Sequence, residues 1–205
     1  MNVFSRDFSD MGPLPLDCAF GTFERFEGHA RDKFKVRENR NPDLRWINLP
    51  VGTRSLAIIC DDLDAADVTQ AQWASGKVPK DIVKRALCHW VVVDFPPEIG
   101  GIAKGEFSDG VLLGGKPGPA SRYGARQGIN AMGAFFKDDL LMQGDYFGYD
   151  GPCPPYGAKP HRYEFTVYAL DVERLEGLPS LFTKEDVLHA IKGKILGNAS
   201  VTGCF

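Results

Sequence analysis

The chain has 205 residues, 43% of them apolar and 25% charged, enough apolar material for one sizeable core. Its formal net charge is −3, with 24 lysines and arginines scattered among 27 carboxylates, which argues against the basic stripe that nucleic-acid binding calls for. No run approaches the roughly eighteen apolar residues of a membrane helix, and no basic-then-apolar leader opens the chain, so a single cytoplasmic domain spanning 1–205 without membrane insertion is expected.

The first clear strand is SLAIIC, Ser55–Cys60, an apolar run rich in β-branched residues that follows the turn Pro50-Val51-Gly52. Pro79 to Leu87 reads as a short helix, with Pro79 near a first-turn position and Ile82, Val83 and Ala86 on one side. HWVVVDF, His89–Phe95, is a second continuous apolar run, closed by Pro96-Pro97; such runs suit strands covered on both faces. From Gly100 to Tyr149 glycines and prolines recur at irregular spacing, and the aromatics, Arg122 and Arg126 there suit a lid or a dimer contact. RYEFTVYALD then alternates, with Phe165, Val167 and Ala169 on one face and Glu164, Thr166 and Tyr168 on the other. Near the end, Thr183 is placed as an N-cap before Glu185 and Asp186, with an apolar stripe of Val187, Leu188, Ile191 and Ile195 running to Gly197. Short strands, long Gly/Pro loops and few helices point to an all-β sandwich.

Five cysteines, Cys18, Cys60, Cys88, Cys153 and Cys204, are odd in number and lack CxxC spacing, which argues against a disulfide framework and a zinc knuckle. CDDLDAAD sets Asp61, Asp62 and Asp64 at the end of the first strand. Such a cluster ligates a hard cation, forms an acid/base pair, or caps a turn, the last being the commonest use of Asp. GxSxG, HExxH, a P-loop and a GxGxxG after a strand are all absent. Of four histidines, His29 lies in a charged segment and His189 on the C-terminal helix. A metal set would therefore reduce to His89, His161 and Asp62. In DGPCPPYGAKPHRYEF, prolines 154, 155 and 160 restrict the backbone around His161. Two imidazoles near carboxylates, a tyrosine hydroxyl and loop N–H groups make an anion pocket, with Arg162 on the opposite strand face as a brace for Asp62 or Asp64.

DDLDAAD, CHWVVVDFP and GPCPPYGAKPHRYEFTVYALD, with Asn39, Pro42, Leu44 and Trp46 earlier and KGKILGNASVTGCF as a C-terminal helix and tail, resemble the signature regions of the phosphatidylethanolamine-binding protein family, in its bacterial Raf-kinase-inhibitor-like (YbhB/YbcL-type) branch. The resemblance implies a Greek-key β-sandwich and a small pocket for phosphate, phosphorylethanolamine or acetate, lined by Asp62, His89, Pro155, His161 and Tyr163, with Asp64 and Arg162 in support. It implies a non-enzymatic binding or regulatory protein acting on a kinase or protease, a homodimer in some relatives, and neither cofactor nor metal. The alternative is a hydrolase using a His/Asp dyad in the same pocket. The family's D-P-D-A-P is here Asp62-Leu63-Asp64-Ala65-Ala66, so two stiffening prolines are replaced while both carboxylates remain.

Overall fold

The two apolar runs and the alternating run become adjacent strands at the centre of the largest sheet in the computed structural model, which describes residues 1–24, 33–79, 81–108 and 110–205. The strands are β1 (Asn2–Phe4), β2 (Gly12–Pro13), β3 (Gly21–Glu24), β4 (Lys33–Val36), β5 (Leu44–Ile47), β6 (Ser55–Asp62), β7 (Leu87–Phe95), β8 (Gly101–Ile102), β9 (Arg126–Gln127), β10 (Arg162–Leu170) and β11 (Ile195–Cys204). Three short helices interrupt them: α1 (Gln70–Ser75), α2 (Met132–Phe135) and α3 (Lys184–Ala190). His29 falls outside the described residues.

Six strands form one sheet in the order β2-β11-β10-β6-β7-β9, β1-β5-β8 form a second, and β3-β4 a hairpin. One face of the large sheet carries Ile58, Cys60, Trp90, Val92, Phe165 and Val167, which pack with Leu44, Trp46 and Ile102 of the three-stranded sheet. The other face carries Ala57, Ile59, Val91 and Val93, covered by Val187 and Ile191 on and beside α3. β6 and β7 are thus buried on both sides, which is why their sequences are continuously apolar, whereas β10 alternates buried and half-buried residues.

The β6–β7 pairing is irregular where it matters most. Cys60 opposes Trp90 and Asp61 opposes Cys88, so His89 is the extra residue of a β-bulge. Strict alternation would send His89 to the face of Val91. The bulge instead sets it on the face of Trp90, where its ring meets Tyr163 edge-on at a centroid distance of 5.2 Å.

Two expectations are corrected. Pro79–Leu87 is not helical: Arg85 N–H donates to Ala65 O, Ala66 bridges Lys84 antiparallel, and Leu87 already belongs to β7. The chain here gains more by pairing with the 65–66 loop than from one isolated helical turn, whose nucleation is unfavourable. The C-terminal helix is shorter than expected. Thr183 does cap α3 through a box with Asp186, but the helix ends at Ala190, Gly193 turns with φ 75°, and Ile195 to Cys204 forms β11, paired along the whole of β10. The open edge of β10 supplies a ladder that the helical stripe could not match. A helix that was not expected, α1, is closed by a capping box between Thr69 and Gln72 and by Gly76 at φ 66°. Among the described residues no helix is long and apolar enough to cross a membrane.

Candidate functional site

Strand register brings Asp62, the last residue of β6, directly opposite Tyr163 of β10. His161 precedes β10 and is seated by a reciprocal backbone pair with Phe205, its N–H donating to Phe205 O at 2.8 Å and its carbonyl accepting from Phe205 N at 3.0 Å. Its Nδ1 lies 2.7 Å from Asp62 Oδ2. The other carboxylate oxygen of Asp62 accepts from Asp64 N–H at 2.9 Å, an Asx turn that ends the strand and fixes the carboxylate plane. The turn reading of Asp62 is thus realised by one carboxylate oxygen, while the other faces His161.

His89 is held from behind. Its Nδ1 is 2.6 Å from the carbonyl oxygen of Asp150, and because a carbonyl only accepts, the proton sits on Nδ1 and Nε2 is turned outward. His89 Nε2 and the Tyr163 hydroxyl are buried with no hydrogen-bond partner among the described residues. Burial, reinforced by the negative charge and the nearness of the Asp62 carboxylate, holds the Tyr163 phenol well above its ordinary pKa, so it is a neutral hydroxyl directed toward that carboxylate. The residues Asp62, His89, Pro155, His161 and Tyr163 all line one cavity of about 300 Å³. Asp61, on the other face of β6, is bound instead to Lys184 at 2.9 Å.

Arg162 and Asp64 lie outside that cavity, joined by a two-point ion pair in which Arg162 Nε and Nη2 donate at 2.8 and 3.1 Å. Lys84 adds a contact at 3.1 Å. The Arg162 guanidinium, with Lys84, holds the Asp64 carboxyl well below the usual carboxylate range. The pair ties the loop after β6 to the start of β10, the bracing expected of it.

Sequence reading missed what lies beneath and beside these residues. Asp150, fully buried, accepts from Asn39 and Lys116 on one oxygen and from Asn130 on the other, each at 2.7 Å. Lys116, 3% exposed, also donates to Tyr149 O at 2.6 Å. Lys116, Asn130 and Tyr149 come from the Gly100–Tyr149 segment, which supplies both this buried support and part of the cavity lining; its Arg126 donates internally, to Asp94 at 2.6 Å and to Leu175 O at 2.6 Å. A lysine between glycines and prolines carries no local signal of burial. Beside the polar end, the cavity is walled by Phe20, Trp73, Leu87, Met132, Phe135 and Phe136. Cys153 also lines it, but burial pushes its thiol up to about 12, which leaves it protonated and unreactive at neutral pH.

No set of three or more His, Cys, Asp or Glu is arranged to hold a metal ion among the described residues. His89, His161 and Asp62 share the cavity, yet Asp62 and His161 are turned toward each other. The arrangement offers one free imidazole nitrogen, one neutral hydroxyl and a His–Asp pair in a mostly apolar cavity whose lining also includes Asp67 and Arg85.

The phosphatidylethanolamine-binding protein pattern matches residues 4–205. The chain belongs to that family. It is 33% identical to a UPF0098 protein of Methanothermobacter thermautotrophicus, over all of this chain and 98% of the relative. Against UPF0098 protein YbhB of Escherichia coli the identity is 32%, covering 86% of this chain and 82% of YbhB. The crystal structure of E. coli YbcL, described as a member of the mammalian PEBP family, superposes with a TM-score of 0.65 at 23% identity, over all of this chain and 96% of YbcL. The strand-rich architecture with few helices is thus the family fold.

Two variants check the supporting groups. Lys116→Met leaves a buried carboxylate without its cation and is expected to cost about 3–5 kcal/mol in urea unfolding, part of it recovered when Asp150→Asn is added. Because Asp64 has a lowered folded pKa, its contribution is complete above the unfolded value of about 3.9 and is lost as pH falls through the folded value. Asp64→Asn should therefore melt below wild type at pH 7, and the gap should close as the pH is taken from 4 to 2.

Proposed function

We propose that this family member is a non-enzymatic binding or regulatory protein whose cavity receives a small oxyanion, such as phosphate or the phosphoryl group of phosphorylethanolamine. The observation that carries the reading is His89 Nε2, a buried nitrogen without a protein partner that shares its cavity with the Tyr163 hydroxyl and the Asp62–His161 pair. A buried donor without an acceptor costs about 1–3 kcal/mol, and native structures leave such groups only where something else satisfies them. The Tyr163 hydroxyl can donate, the outward nitrogen of His89 can donate when it carries a proton, and His161 lies beside them with its Nδ1 2.7 Å from Asp62. The three groups converge on an acceptor-rich anion. We also read the two facing sheets, with β10 set between β6 and β11, as the family's Greek-key sandwich.

A hydrolase is the second reading, favoured by the 2.7 Å contact that orients His161 by Asp62 in the manner of a general base. Against it, among the described residues no serine or threonine lines the cavity and its one thiol is held protonated, so neither an aliphatic hydroxyl nor a thiolate nucleophile is at hand. Turnover of a phosphodiester and ester panel that disappears in His161→Ala would establish this reading in place of the first.

Phosphate at a hundredfold excess over Kd should raise stability by about 2.7 kcal/mol, read as a rise in melting temperature. Tyr163→Phe separates function from folding. It removes one hydroxyl and keeps the buried ring, so the unliganded variant should retain a cooperative melting transition, while the phosphate-dependent rise falls away. A wild-type protein whose melting temperature is unmoved by tens of millimolar phosphate would overturn the proposal.

A further inference from the structure

The strand β11 is paired along its length on one side only. Its ladder with β10 runs from Arg162 opposite Cys204 to Leu170 opposite Ile195. On the other side, β2 takes up Gly203 and Cys204, while Thr202 donates its N–H to Asp10 Oδ1 at 2.9 Å and accepts from Met11 N–H at 2.6 Å. Successive residues of an antiparallel strand turn their backbone groups to alternate sides. Thr202 is turned away from β10, and the register is regular back to Asn198, so Ser200 and Asn198 are turned away as well. Among the described residues, their outward N–H and C=O groups have no partner. The strand β1 belongs to the facing sheet and is bonded to β5.

Sheet edges are ordinarily guarded by charge or proline, yet ILGNASV, Ile195–Val201, has neither. Exposed apolar side chains border it at both ends. Ile195 and Leu196 are each 41% exposed, Val51 in the turn beside Leu196 is fully exposed, and Met11, beside Thr202, is 57% exposed. Apolar surface gathered along a free edge marks a contact. The flanking charges are opposite in sign: Lys194 precedes the free stretch and Asp10 follows it.

We propose that this edge pairs with the same edge of a second copy of the chain, antiparallel about a two-fold axis at Ala199. Asn198 of each copy then opposes Ser200 of the other, and the free N–H and C=O groups of both residues are all used. A register shifted one way would set Asn198 against Thr202, whose groups are already taken by Asp10 and Met11. Shifted the other way, it would set Ser200 against Leu196, the extra residue where the β10 ladder is irregular. The same axis carries Leu196 and Val51 toward Met11 of the partner copy, and Lys194 toward its Asp10. An edge that is apolar at both ends and oppositely charged at each matches an inverted copy of itself, which selects a second copy over an unrelated strand. None of these residues lines the ligand cavity, so the contact stands or falls apart from the anion site.

The test is sedimentation equilibrium of the full chain without added ligand. The wild-type mass should rise from one chain toward two as concentration increases. Ser200→Pro deletes an outward N–H and no bond to β10, so it should fold, as read by circular dichroism, and weaken association roughly tenfold or more. Leu196→Lys leaves every backbone bond in place and adds a charge to the edge, so it should have the same effect and decides the matter where the proline variant folds poorly. Ala199→Cys places two thiols across the axis and should give a covalent dimer on mild oxidation, beyond anything the native cysteines of the wild type yield. A chain that stays monomeric at the highest concentration would overturn the proposal. A dimer that persists in folded Leu196→Lys, or one in which Ala199→Cys does not cross-link, would also overturn it by placing the contact on another face.

Discussion

The bulge in the β6–β7 pair is the constraint from which the site follows. A central strand buried on both faces gives each side chain one of two destinations, and regular alternation would put His89 among Ala57, Val91 and Phe182 on the helix-covered face. The extra residue on β7 opposite the Cys60–Asp61 step, His89 itself, reverses that assignment without disturbing Trp90 or Val91. The histidine then shares a face with Asp62 and Tyr163, whose mutual register is set independently by the β6–β10 ladder. Three side chains from three strands converge because two ladders agree with β6, one regular and one shifted.

Bringing an imidazole to that face creates a requirement behind it, met by Asp150. Its carbonyl fixes the His89 tautomer, and its carboxylate gathers Asn39, Lys116 and Asn130 from three separate segments. A charge that deep is tolerable only when fully hydrogen-bonded, and every carboxylate oxygen here is. The polarity of the cavity around His89 is thus continued into the interior as a connected network.

Much of this was legible in the sequence, for physical reasons that differ by element. Continuous apolar runs identify strands covered on both sides, and the alternation of Phe165, Val167 and Ala169 identifies the buried face of β10, so His161, Tyr163 and the exclusion of Arg162 could be read directly. Thr183 is a local signal read by a local interaction, and it too was legible. What could not be read depends on contacts distant in sequence. The bulge at His89 has no compositional mark, Lys116 is buried by partners more than thirty residues away, and Ile195 continues the α3 stripe until the edge of β10 claims it. Pro79 to Leu87 failed for the same reason, its weak helical pattern yielding to a bridge with the Ala66 loop.

The polar end and the aromatic wall are built from parts of different permanence. Asp62, His89 and Tyr163 are anchored in strands that cross the core, so they change only at the expense of the fold. Trp73 stands on a six-residue helix closed at one end by Thr69 and Gln72 and at the other by Gly76, a unit whose boundaries are set within its own sequence. Substitution along that helix can reshape the wall without touching the ladders. Related chains that share this ground plan can vary the cavity lining through α1 while the strand-borne residues stay in place.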